Sequence, residues 1–319
     1  MNGLERGGIS VNESGVKSIQ LSSAWLKVTS LLLSHHLVPQ VIEALRVESC
    51  GWPSLDAQYM MLRILRHCES YPLSIKYHRL LLKVMVDDIE KLGAEVADDL
   101  MECVVEAYST PLPCGSDSDV AHYSYTIPKG SVPIKGWSYN EEGQEKDTIL
   151  VPLRVLRDDN LVGMKTWEAG FLLAELCFAC SPKLFAGKRI LELGAGIGST
   201  ACLLSHALSE AVPESIVLTD FAEVILENLE YNVDICTNAC QYMKGKIITQ
   251  YCDWRSILTP EDIPENMVPA DVTLIADCTY SEDIIDHVLR TIACIITSSK
   301  SHASSTMLKK QHMTEEDEE

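Results

Sequence analysis

The stretch RILELGAGIGST, Arg189 to Thr200, carries glycine at 194, 196 and 198 directly behind an apolar run. Glycine costs backbone entropy in a strand or a helix, so three at alternate positions mark a place where the chain leaves one element and turns sharply into the next. Two readings are open: the turn only connects, or it brings bare backbone against a ligand. The surroundings narrow the choice. From Thr166 onward the pattern alternates: helix TWEAGFLLAELCFA, strand KRILELG, helix STACLLSHAL, strand SIVLTD, helix AEVILENLEYNVDI, strands KIITQYCDW and VTLIADC, and a helix from Glu282 to about Ile296. This alternation predicts an α/β fold, a parallel sheet covered by helices, with ligands at the carboxyl ends of the strands.

At the first strand end the glycines present backbone N–H groups at the positive end of a helix, which suits a carboxylate or phosphate. A dinucleotide fingerprint would place its third glycine at 199, where Ser199 stands. Glu192, two residues before the first glycine, would repel a pyrophosphate but can receive an ammonium group. The second strand ends at Asp220, about twenty residues past the glycines, where a carboxylate receives ribose hydroxyls; a lone strand-end Asp is also an ordinary N-cap for the next helix. Asp253 and Trp254 end the third strand. They pair an acceptor for an exocyclic amine with a flat apolar face, as an adenine ring requires. Asp277 and Tyr280, in DCTY, end the fourth strand, where catalysis or substrate gripping is expected.

Upstream, residues from about Ile19 to Tyr108 have helical periodicity (AWLKVTSLLL, LDAQYMMLRILRHC, YHRLLLKVMVDDIEKL), with Leu81, Met85, Ile89 and Leu92 on one face and Ser54 as a candidate N-cap. Met60 and Met61 fit a core-filling role. The result is a helical docking domain over 19–108, a linker over 109–120 (STPLPCGSDSD), and a second domain over 121–297 that opens with a hairpin of HYSYTIP and TILVPLRVLRD. Residues 298–319 are rich in Ser and charge, which predicts a tail without structure. The net charge of −20 disfavours direct nucleic-acid binding and an anionic membrane, and suits a basic or lysine-bearing protein partner. The N-terminus lacks the cationic start and apolar core of a signal peptide, so a cytoplasmic location is expected. Among 12 cysteines, Cys177 and Cys180 of CFAC have no second pair at zinc spacing, and they are expected to be reduced core thiols, with no metal site.

The run ELGAGIGS, with Asp220, CDW, DCTY and the upstream GMKTWEAG, resembles the class I S-adenosylmethionine-dependent methyltransferases, specifically the branch of protein lysine methyltransferases that carries a D-x-x-Y signature. The segment from Ser49 to Val86 resembles the helical domain of the members directed at translation elongation factor 2. The resemblance covers roughly Ser49 to Ile296. It implies a Rossmann-like sheet with S-adenosylmethionine as cofactor. In this pattern Gly194 and Gly196 hold the methionine portion beside Glu192, Asp220 holds the ribose, Asp253 and Trp254 the adenine, and Trp167 lies against the cofactor from the preceding helix. Asp277 and Tyr280 form the lysine end, and elongation factor 2 is the implied protein substrate. The family pattern has seven strands, whereas Tyr280 is followed by one helix and the polar tail, so the last three strands are not legible. An uncovered fourth strand, self-association and weak activity are then expected. A noncatalytic interaction module on a shortened fold is the alternative reading.

Overall fold

The computed structural model describes residues 9–11, 17–19, 22–48, 50–67, 71–112, 120–128, 148–156, 162–208 and 211–316. The chain divides into two compact units, Met1–Gly130 with Lys135–Leu161, and Ser131–Ile134 with Val162–Glu319.

The first unit joins five helices, α1 (Ser23–Leu33), α2 (Val38–Val47), α3 (Leu55–His67), α4 (Ile75–Lys91) and α5 (Asp98–Ser109), to strands β1 (Ile9–Val11), β2 (Lys17–Ile19), β3 (Val120–Pro128) and β4 (Thr148–Leu156). Serines start three helices: Ser22, Ser54 and Ser74 accept the N–H groups of Trp25, Ala57 and Tyr77. Leu81, Met85 and Ile89 are fully buried, and Met61 joins them in the core with Met60 packed against it. Leu92 departs from the expected stripe. It caps the C-terminus of α4 and is 51% exposed, because the helix ends one residue earlier.

The four strands form an antiparallel sheet in the order β1-β2-β4-β3. The hairpin β3–β4, expected with the second domain, belongs to the helical unit. His122 N–H donates to the Pro72 carbonyl at 2.9 Å, and the His35 ring stacks on both Tyr77 and Tyr123. The chain therefore divides after β4 and not at the expected linker, of which residues 113–119 lie outside the described residues.

The second unit runs α6 (Glu168–Phe185), β5 (Arg189–Leu193), α7 (Ser199–Ala207), β6 (Ser215–Asp220), α8 (Glu223–Ala239), β7 (Ile247–Tyr251), β8 (Val272–Ile275) and α9 (Glu282–Glu316). Its sheet is parallel in the order β7-β6-β5-β8. This is the predicted Rossmann-like α/β architecture. The chain moves outward from β5 to β7 and then returns to pair β8 with the opposite edge of β5, so the order reverses between β5 and β8. Such a switch point opens a crevice beyond the strand ends, the usual ligand position.

Both faces of the sheet are covered, which is why its central strands read as near-continuous apolar runs. Ile190, Ile216 and Leu218 pack on the face with Cys177, Phe185, Leu204 and Leu229, while Leu191, Leu193 and Val217 pack on the other with Ile257, Met267, Cys294 and Ile295. Cys177 is buried as expected, whereas Cys180 is exposed on the outward edge of α6. Helix α9 continues past Ile296 to Glu316, in place of the structureless tail expected from 298. The last part of the extension, MLKKQHMTEE from Met307, consists mostly of good helix formers, and its start is anchored: Ser298 donates to the Pro260 carbonyl at 3.2 Å and Ser299 accepts the Ala270 N–H at 3.0 Å. Among the described residues β8 pairs only with β5, which leaves its outer edge without a strand partner.

Candidate active site

Strand β5 stops at Leu193, and the next three glycines all adopt left-handed backbone, with φ of +66° at Gly194, +56° at Gly196 and +78° at Gly198, the N-cap of α7. Packing adds to this demand. A Cβ on Gly194 would lie 2.8 Å from Cys278 Sγ and 3.2 Å from the Trp254 ring, and one on Gly196 would lie 3.0 Å from the Gly163 carbonyl oxygen. The turn thus gathers the end of β5, the loop after β7, the loop after β8 and the segment before α6. Cys278, buried, ties the last loop down by donating from its thiol to the Leu193 carbonyl at 3.4 Å. The connecting role of the glycines is met by the protein itself, so evidence for a ligand must come from the side chains around them.

Glu192 is such a side chain. It is 3% exposed, its Oε2 has no hydrogen-bond partner among the described residues, and burial pushes its carboxyl up to about 7 against the opposing hydrogen bond from Thr200. A buried carboxylate with an unmet oxygen is costly unless a proton or a neighbouring cation neutralises it. Asp220 is 8% exposed and pins the turn: its Oδ2 accepts Gly196 N–H at 3.1 Å and its Oδ1 accepts Phe221 N–H at 2.8 Å. Burial raises its pKa despite these donors. Ala222, not Asp220, occupies the N-cap of α8.

Asp253 is not the open acceptor that the sequence suggests. Arg255 grips it in a two-pronged bond, Nε to Oδ1 at 2.9 Å and Nη2 to Oδ2 at 3.0 Å, which holds the carboxyl below its usual range. The Arg255 guanidinium also lies 5.5 Å from the centre of the Phe221 ring. Phe221, 49% exposed, presents an apolar face next to Asp220. Sequence reasoning missed both residues, although an aromatic residue directly after a strand-end acid was a usable signal. Trp254 lies edge-on to Gly194, with its indole N–H buried and unpartnered among the described residues.

Trp167 is the N-cap of α6, exposed, with its indole N–H donating to the Val162 carbonyl at 2.9 Å and Lys165 Nζ 4.4 Å from its ring centre. Gly163 and Gly170 bring this segment against Gly196 and against the Ser199 and Thr200 side chains. At the fourth strand end, Asp277 holds φ of +52°, a strained conformation for a residue with a side chain and one that concentrates at functional sites. Tyr280 is 61% exposed just before α9. The arrangement combines a buried carboxyl with one unpartnered oxygen, acids and aromatic faces at neighbouring strand ends, and an accessible acid and phenol on the last loop.

Residues 153–318 match the family described as "Lysine methyltransferase". The chain is 25% identical over 283 residues to "Protein-lysine N-methyltransferase EEF2KMT" of Mus musculus, a match covering 83% of the chain and 76% of that protein. It is 26% identical over 216 residues to the Homo sapiens protein of the same name, covering 63% and 58%. It is 27% identical over 213 residues to "Protein-lysine N-methyltransferase EFM3" of Chaetomium thermophilum, covering 65% and 58%. The match thus spans less than two thirds of the human and fungal relatives. Among the described residues, no helix is long and apolar enough to cross a membrane.

Proposed function

The chain belongs to the lysine methyltransferase family, whose methyl donor is S-adenosylmethionine, and from that premise we propose that it methylates a lysine of a protein substrate, translation elongation factor 2, in the cytoplasm. The observation that supports the cofactor part of this reading is the buried Glu192 Oε2 beneath the glycine turn, without a partner among the described residues, an acceptor suited to the one ammonium group of this cofactor. The residues around it fit the rest. Gly194 and Gly196 offer backbone beside the methionine portion, Asp220 accepts ribose hydroxyls, and Trp254 with Phe221 flanks the adenine. Asp253 retains lone pairs for the exocyclic amine beside its bond to Arg255. Trp167 covers the cofactor from α6. Asp220→Ala is expected to weaken cofactor binding by about 1–3 kcal/mol, since hydroxyl partners are left unmet. Unchanged affinity by calorimetry would remove the ribose role.

When bound, the cofactor supplies a methyl group on a sulfonium for in-line transfer to an amine. The chain's task is to present that amine neutral and aligned. Deprotonating a lysine of ordinary pKa at neutral pH costs about 4.6 kcal/mol. A site closed to water lowers that pKa, and Asp277 and Tyr280 orient the nitrogen by hydrogen bonds, so most acceleration comes from positioning. Asp277 also favours the charged ammonium, which suits gripping the incoming lysine better than acting as its base.

The test is transfer of a radiolabelled methyl group to purified elongation factor 2, run beside calorimetry with S-adenosylhomocysteine. Asp277→Asn and Tyr280→Phe are expected to leave cofactor affinity unchanged and to lower transfer at least about 100-fold, the signature of an interaction made only with the substrate. Cofactor binding without transfer to this substrate or any protein of a cell extract would favour the noncatalytic module. Loss of cofactor affinity in both variants would move Asp277 and Tyr280 into the cofactor shell.

A further inference from the structure

Away from the strand ends, on the face where α7 packs against α8, three residues of metal-binding type come together. His206 lies on α7, one helical turn after Cys202; Cys236 lies on α8, and Cys240, four residues later, is its C-cap. Residues four apart on a helix share a face, so two such pairs on packed helices converge. The ligand atoms of His206, Cys236 and Cys240 all lie within 4.8 Å of one another, and Cys240 Sγ is 3.3 Å from His206 Nδ1. Cys202 stands beside them. Its Sγ approaches the Asn232 carbonyl at 3.7 Å, and the Cys236 thiol reaches the Cys202 carbonyl at 3.6 Å.

We infer that His206, Cys236 and Cys240 form a three-residue zinc-binding site whose fourth position is left for a water or an exogenous ligand. A tetrahedral zinc with bonds of about 2.3 Å to sulfur and about 2.0–2.1 Å to nitrogen holds neighbouring ligand atoms roughly 3.5–3.8 Å apart. The Cys240–His206 pair, at 3.3 Å, is slightly closer than that spacing and all three ligand atoms lie within 4.8 Å of one another, so small side-chain rotations bring them into a tetrahedral set. Sulfur and imidazole donors select zinc over the hard cations magnesium and calcium. Cys236 and Cys240 are buried and His206 is half-buried, so the three donors are largely withdrawn from bulk water. The C-x-x-C spacing sought in sequence misses this set, because Cys236 and Cys240 follow the four-residue helical period and His206 lies 34 residues before Cys240. The site also has a role in the fold. Helix α7 starts at the glycine turn and α8 just after Asp220, so a metal joining their far ends fixes both helices behind the candidate active site. This inference does not depend on the identity of the methyl acceptor.

The experiment uses the full chain, reduced and metal-stripped, titrated with zinc against a chromophoric chelator, and in parallel with cobalt, whose thiolate complexes show a charge-transfer band. One zinc per chain is expected, together with a raised thermal midpoint and a thiolate-to-cobalt band. Cys236→Ser and Cys240→Ser should each weaken zinc binding by about 100-fold or more, while Cys294→Ser, buried elsewhere, should not. Equal zinc affinity in the double variant Cys236→Ser with Cys240→Ser would overturn the inference. So would a wild-type cobalt complex without the thiolate band, a measurement that stands even if the serine variants fail to fold.

Discussion

Glu192→Gln is expected to weaken S-adenosylmethionine binding by at least about 30-fold and to flatten the pH dependence of the cofactor-free protein's stability. Removing one partner from a buried charge pair costs about 2–5 kcal/mol, and 2 kcal/mol is already roughly 30-fold in affinity. The pH effect has a definite sign. Burial raises the folded-state carboxyl from its ordinary 4.5 to about 7, so the folded protein holds a proton that the unfolded chain has released. The stabilisation from this proton is fully present below about 4.5 and is lost as pH rises through about 7, a change on the order of 3 kcal/mol. The wild-type protein should therefore melt at lower temperature at about pH 8 than at about pH 5 where this group dominates, and the glutamine variant should lose that component. An ammonium beside Glu192 favours the carboxylate, so binding should release a proton at neutral pH, and affinity should rise with pH up to about 8. Calorimetry in buffers of different ionisation enthalpy measures the proton release directly. Equal affinity in wild type and variant, or binding without proton release, would reject the ammonium-receiving role.

Gly194→Ala should destabilise the second unit by about 2–5 kcal/mol and remove measurable cofactor binding. Two costs combine. A side chain at φ of +66° costs about 1–2 kcal/mol, and the added carbon, 2.8 Å from Cys278 Sγ and 3.2 Å from the rigid Trp254 ring, forces a core shift worth about 1–3 kcal/mol more. Gly187→Ala and Gly245→Ala separate them. Both glycines have positive φ, +64° and +75°, but nothing lies within 4 Å of their added carbons, so each should cost only the conformational share. Urea denaturation of the three variants reads the difference. Equal destabilisation in all three would mean that the loops after β7 and β8 are free to move away from Gly194, and that the convergence of strand ends is not tightly packed.

The parts of this protein that could be read from its sequence are those set by local rules. The four parallel strands, the helices between them and the glycine turn follow from apolar runs, helical periods and backbone freedom, each of which operates within a few neighbouring residues. The same holds for Ser54 at the start of α3 and for the buried stripe Leu81, Met85 and Ile89. Only the tertiary structure decided where a locally sound element would pack and what each polar atom would meet. The hairpin β3–β4 has unambiguous strand character, yet its place with the helices depends on His122 meeting Pro72, about fifty residues earlier, and on His35 stacking against Tyr123. Helix α9 runs on past Ile296, and there Ser298 and Ser299 find partners at Pro260 and Ala270 that the sequence does not announce. Asp253 looks like a free acceptor in CDW, but Arg255, whose guanidinium lies over Phe221, curls back to hold it. His206 and Cys240 read as unrelated until α7 and α8 pack, and the open oxygen of Glu192 exists only because folding sealed the carboxyl from water while supplying no donor to Oε2 among the described residues. Backbone preference acts between neighbours and survives in the sequence, whereas burial and polar pairing are set by residues tens of positions apart and arise only once the chain has closed on itself.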